Sequence, residues 1–363
     1  MKHVIIYKEK NRYAGWPANY GIWSWGDEIV TGFSLGFIDQ NAKGLHPRDK
    51  NRPFQSLQVR SIDGGVTWNN QLAPLVIPGN IGSISSEEHM SFSYGMVSER
   101  INCPVTHKGG IDFTNPDFAM LCARSGLESG AESWFYISYN RCKSWEGPFI
   151  LPMFGQKGVA ARTDYLTYPN IDSNKLTLFL TSTKSNGKEG RVFCAETSDS
   201  GESFKFVSWL NAMPKGFEIM PSSLLLNSGV IITAVRSRNS FGNKNSIDLY
   251  RSEDYGKEWI YLSTPVKNTG KGGNPPALIQ LIDGSLCLIY GFRDAPYGIR
   301  FITSQDDGYS WTKEKVLRDD GGDSDIGYPR ATQRSDGKVV VVYYYNDSFQ
   351  PERYIAATIF DPK

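Results

Sequence analysis

Short apolar runs separated by turns bearing Gly and Asp recur along the chain, and they predict β-hairpins rather than helices. VIITAVR follows Asn227-Ser228-Gly229, SLCLIYGFR follows Ile282-Asp283-Gly284, and KVVVVYYYND follows Ser335-Asp336-Gly337, most with another apolar segment ahead of the turn. The units begin at Trp16-Pro17-Ala18, Asn115-Pro116-Asp117, Arg162-Thr163-Asp164, Met220-Pro221-Ser222, Pro275-Pro276-Ala277 and Tyr328-Pro329-Arg330. After a longer first interval they recur about every 50 to 60 residues, close to the length of a four-stranded propeller blade.

A second repeat follows most of these hairpins. Ser61-Ile62-Asp63-Gly64-Gly65-Val66-Thr67-Trp68 returns at Thr197–Phe204, Ser252–Trp259 and Ser304–Trp311, and in decayed form at Ser138–Trp145. Each full copy sets an Asp to accept backbone N–H bonds in a turn, a Gly where positive φ is needed, and an aromatic to pack between sheets. The last unit, around Arg353-Tyr354-Ile355, has no such copy. The N-terminal strand His3-Val4-Ile5-Ile6-Tyr7 is expected to supply its fourth strand and close the ring. The expectation is one all-β domain over residues 1–363, a six-bladed propeller, with the irregular stretch of roughly residues 77 to 110 as a loop between blades.

Composition agrees: 13% aromatic residues, 36 Gly and 19 Pro suit short strands and turns. A net charge of +1 gives no broad field for nucleic acid or an anionic membrane, so neither is an expected partner and an acidic ligand would need a local cationic cluster. The apolar run in HVIIY is too short for a signal-peptide core, and no run approaches a bilayer span, which predicts a soluble, cytoplasmic protein. The five cysteines lack CxxC spacing and read as reduced thiols, and His89 and His107 lack ligand spacing, so no metal is expected.

In a propeller, the starts of the innermost strands and the exits of the second strands converge on the axis. Those positions hold Trp16, Asp117, Arg162, Glu218, Asn274, Tyr328 and Arg330, with His46, Asp49, Arg236 and Arg293 at the exits. The planar fork of Arg suits a carboxylate or sulfate.

The Asp-bearing turns resemble the Asp boxes (BNR repeats) of the sialidase, or neuraminidase, superfamily, whose boxes lie away from the active site. GYPRATQRSDGKVVVVYY resembles its nucleophile strand, placing Tyr328 on the catalytic tyrosine, which is expected to lie on extended backbone before Pro329. EIMPSSLLLNSGVIITAVR resembles its fourth-blade segment and puts Arg236 on a triad arginine; Arg293 matches another, and Asp49 fits the acid/base loop. Gly15-Trp16-Pro17 stands where the family has Arg-Ile-Pro, and Met220 where it has Glu; Glu218, two residues earlier, would return to the same face, and Arg162 or Arg330 would replace the missing charge.

The resemblance implies a cofactor-free glycoside hydrolase for a terminal acidic or polar sugar. Tyr328 would be the nucleophile, Glu218 its base and Asp49 the acid/base group; arginines would hold the anion, and Asp117, His46, Trp16 and Asn274 would line the sugar site. Two alternatives stand beside it: a polysaccharide lyase using Tyr328 or His46 on a uronate, and a non-catalytic glycan-binding propeller.

Overall fold

The computed structural model describes residues 1–42, 44–52, 54–76, 78, 102–347 and 350–363; His89 and most of the long stretch between residues 77 and 110 lie outside the described residues. The molecule is an all-β propeller. Four sheets of three to five strands stand as separate blades, and a fifth sheet of nine strands carries both ends of the chain.

The blade over residues 217–266 shows the common plan. Phe217–Leu225, Ile231–Arg238, Asn245–Ser252 and Ile260–Val266 form an antiparallel meander. Arg238 pairs with Asn245 at one end and Ile231 with Ser252 at the other. Eight paired residues at ~3.3 Å per residue put those two ends more than about 20 Å apart.

The nine-stranded sheet contains two such meanders. Gly327–Gln333, Val339–Asp347 and Gln350–Phe360 are followed laterally by Lys2–Tyr7, which pairs antiparallel with the last of them. Arg12–Gly15, Glu28–Phe37, Gln55–Ser61 and Asn69–Leu72 form the other, joined to the first by one parallel bridge between Tyr13 and Arg353. Val339–Asp347 is a run of β-branched and aromatic residues because both of its faces are covered by neighbouring sheets.

Apolar seams fill the gaps between successive meanders, as where Leu178 and Leu180 meet Phe135 and Ile137, or Ile289 and Phe301 meet Val341 and Tyr343. The five cysteines form no disulfide, and four of them are buried in this packing.

The repeated turns share one geometry, at the end of the sheet away from the Arg238–Asn245 pair in the blade over residues 217–266. Asp63 Oδ1 accepts from the N–H groups of Val66 and Thr67, and Ser61 Oγ accepts the Gly65 N–H at 2.8 Å. Asp199, Asp254 and Asp306 repeat the arrangement, and Asn140 does so in the decayed copy. Gly65, Gly201, Gly256 and Gly308 all have φ between 82° and 92°; Cys142, which replaces that Gly, is held at φ 60°. The hydrogen bonds from Thr67 hold the Asp63 carboxyl down at about 2.

Candidate active site

The innermost strands break at the Pro-bearing repeat. Arg12–Gly15 and Ile22–Trp25 both pair with Glu28–Phe37 but are separated by a 3-10 turn, Pro17–Asn19. The register slips between Ile219 and Ser222 and again between Gly327 and Arg330. At these breaks Trp16, Met220 and Tyr328 take left-handed φ values of 61°, 54° and 50°. The extended backbone expected at Tyr328 is therefore not formed. A bulky residue at positive φ costs on the order of 1–3 kcal/mol and persists only where its surroundings fix it. All three residues belong to one buried cluster.

Around that cluster lies a polar network centred on Asp325, which is 1% exposed. Its Oδ1 accepts from His46 Nδ1 and from Tyr344 Oη, both at 2.6 Å; its Oδ2 accepts from Tyr13 Oη and Arg353 Nε, both at 3.0 Å. Burial alone would raise this carboxyl, but His46, Arg353 and Arg293 hold it far below the usual carboxylate range. An ionised carboxylate only accepts, so the His46 proton is assigned to Nδ1 and Nε2 is left as the acceptor. Burial lowers the His46 pKa below 6.5 against the pull of Asp325, so the ring is neutral at pH 7. The His46 side chain nevertheless keeps 25% of its surface exposed, with the ring edge-on to Trp16 at 5.3 Å.

Arginines crowd the other side. Arg236 Nη1 donates to Tyr328 Oη at 3.1 Å, and the Arg293 guanidinium lies 5.4 Å from the Tyr328 ring centre. Arg236 and Arg238 both donate to Gly272 O, and Arg236 Nε is a buried donor without a partner among the described residues. Neither arginine pairs with a carboxylate among the described residues. Burial and then Arg236 lower the pKa of Arg238, the mark of cations gathered without a counterion. Arg293 is different: Ile326 O, Gly273 O and Tyr344 Oη engage its Nε, Nη1 and Nη2, which makes it a brace.

The structure thus brings together Tyr328, Arg236, Arg293, His46, Trp16 and Asn274. Asn274 shapes the break itself: its Oδ1 accepts the Tyr328 N–H at 2.9 Å and its Nδ2 donates to Ile326 O, leaving no room for a side chain at Gly327. Trp16 is 2% exposed and packs on Tyr13 and Phe54, with Arg48 over its ring, so it is a wall rather than an open platform.

Other expected members are elsewhere. Glu218 turns away from Tyr328 and accepts from Tyr250 Oη and Asn211 Nδ2, because the bulge at Met220 and Pro221 cancels the simple two-residue alternation. Met220 itself faces Arg236, its sulfur 3.7 Å from Nη1. Asp117 pairs with Arg141 beside the decayed Asp-type turn, at the far end of its blade, because Ala119–Arg124 is a second strand running back toward the site.

Arg162 is locked in a fork with Glu189, and Arg330 donates to the carbonyls of Tyr20, Ala18 and Thr163. Those two arginines tie meanders together. Asp49 lies on the loop after Phe37, where its Oδ1 accepts from the Asn51 N–H, and among the described residues it makes no contact with Tyr328.

Sequence reasoning missed Tyr13, Asp325, Tyr344 and Arg353. Arg353 lies near the start of a third strand, Gln350–Phe360, and third strands also start at this face.

No protein-family model and no curated protein sequence matches the chain. Solved structures do. A Dyadobacter fermentans protein of unknown function is 21% identical with a TM-score of 0.72, covering 99% of this chain and 97% of its own. The NanB sialidase of Streptococcus pneumoniae is 13% identical at 0.63, covering 97% and 68%. The intramolecular trans-sialidase of Ruminococcus gnavus is 13% identical at 0.61, covering 94% of each chain. The chain has a sialidase-like propeller fold; at these identities the likeness concerns the fold.

Proposed function

We propose that the protein cleaves a glycan next to an acidic sugar, using His46 as its acid–base group. The observation that carries this is the 2.6 Å bond from His46 Nδ1 to Asp325, which fixes the neutral tautomer and frees Nε2 to take a proton. Arg236 and Arg238 supply the anion-binding charge. Tyr328 accepts from Arg236 and so keeps its own proton to give.

These roles favour elimination at a uronate. His46 Nε2 removes the proton beside the carboxylate, whose developing charge the arginines stabilise. The electron pair forms the carbon–carbon double bond, and the glycosidic oxygen leaves with the Tyr328 proton. A hydrolase reading is favoured by one feature, the Tyr328 hydroxyl bonded by Arg236 with Arg293 over its ring, but among the described residues no carboxylate base touches Tyr328. Incubation with uronate- and sialic-acid-containing glycans separates the two: elimination yields an ultraviolet-absorbing unsaturated product, whereas hydrolysis in H₂¹⁸O incorporates one labelled oxygen. His46→Gln and Tyr328→Phe should each cut turnover by about two orders of magnitude. Full activity in folded His46→Gln would overturn the assignment.

The architecture is read as one six-bladed domain. Dividing the nine-stranded sheet at its single parallel bridge leaves six meanders, and an apolar seam lies between each neighbouring pair, including the first and last. The shared turn geometry supports reading the Asp-bearing repeats as structural Asp boxes.

A further inference from the structure

A second concave region opens beside the arginine pair. It has a volume of about 440 Å³ and is lined by Asn243, Lys244, Lys267, Asn268, Lys271 and Asp294, among others. Lys244, Lys267 and Lys271 are exposed, and none makes an ion pair among the described residues. Asp294 is the one acid in the lining, and it is already occupied, accepting from the Lys271 N–H and from Asn268 Nδ2. Three lysines against one aspartate give the groove a net positive charge beside its amide hydrogen-bonding groups.

The groove shares a wall with the candidate active site. Its wall is the turn Gly270–Gly273, whose Gly272 carbonyl accepts from both Arg236 and Arg238 on the other side. Asn245 joins the two, accepting from Arg238 Nε and donating to Gly270 O. At the tip of the hairpin loop that carries Asn243 and Lys244, Phe241 stands 87% exposed. An exposed ring on the loop that lines a cationic, amide-rich groove suits the apolar face of a pyranose.

We infer that this groove binds further residues of an acidic polysaccharide whose reacting sugar sits at Arg236, so the substrate is a polyanionic chain rather than an isolated terminal sugar. The inference rests on the acidic-sugar reading of the main site. Three lysines add favourable charge beyond the arginine pair, and their contribution is screened by salt.

The test is a binding titration on the His46→Gln protein, which the main proposal expects to turn over substrate about a hundredfold more slowly, with and without Lys244→Ala, Lys267→Ala and Lys271→Ala combined. The probes are galacturonic acid, polygalacturonate oligomers of increasing length, dextran sulfate, and single-stranded DNA of matching charge. The expected result is oligomer affinity that rises with length, falls with salt, and drops on the order of tenfold in the lysine variant while monomer affinity is unchanged. Preference between polygalacturonate and dextran sulfate separates carboxylate from sulfate recognition. Phe241→Ala should weaken oligomer binding without altering its salt dependence. Oligomer affinity equal to that of the monomer, or unaffected by the lysine substitutions, overturns the groove; DNA bound as well as either glycan overturns its glycan specificity. These outcomes concern binding, so they leave the turnover test of His46 independent.

Discussion

His46 Nδ1 and Asp325 Oδ1 lie 2.6 Å apart, and Asp325 accepts three further hydrogen bonds that fix it in place. The imidazole is thereby held in one tautomer on a loop, between Tyr13 and Trp16, by groups from both ends of the chain. Because burial lowers the His46 pKa, the neutral base is present above a pH that lies below 6.5. Activity should rise through that acidic range and be level by pH 7. The stability sign is the same: the unfolded chain takes up the His46 proton first as pH falls, so stability is lost on acidification. Turnover that instead rises only through alkaline pH would exclude His46 as the base.

Asp325→Asn should be the most destabilising single change at the site. It weakens four hydrogen bonds and removes one of the two carboxylates that pair with Arg353, leaving Asp323, a loss of about 1–3 kcal/mol. Denaturant unfolding measures it, and a wild-type midpoint would show that the network is not held through this carboxylate.

Glu218 tests the separation of structure from chemistry. Burial raises its pKa to about 7 from 4.5, so between those values the folded protein holds a proton that the unfolded chain has released, and stability falls as pH rises. Glu218→Gln should remove that slope, giving a melting temperature near wild type at pH 5 and above it at pH 8, with turnover unchanged. The Asn211 Oδ1, buried without a partner, can accept the new amide N–H. A hundredfold loss of turnover would return Glu218 to the catalytic set.

Asp199→Ala should lower the melting temperature by a few degrees without changing turnover per folded molecule. The carboxylate serves only its own turn, accepting from the Ser203 N–H and hydroxyl and from Thr197 Oγ1. Lost turnover at wild-type stability would place these turns at the site.

Deleting residues 1–9 should cause aggregation or a marked fall in melting temperature, because Lys2–Tyr7 covers the edge of Gln350–Phe360. An unchanged melting curve would mean that the edge needs no cover.

The sequence by itself determined the repeat, and through it the fold. Asp, Gly and the aromatic of each turn act within a few residues of one another, so a linear pattern suffices to find them. The same repeat located Tyr328, Arg236, Arg293 and His46 at one face. Only the tertiary structure decided which of them work together. The left-handed backbone at Met220 turned Glu218 toward Tyr250, which the simple period of a strand does not anticipate. Asp117 fell at the wrong end because its blade enters the repeat one strand later. Asp325 gained its meaning from His46, Tyr13, Tyr344 and Arg353, residues 19 to 312 positions away, whose approach is set by ring closure between the chain's two ends. Such long-range convergence leaves no local signature, because each residue alone is compatible with an ordinary strand or loop.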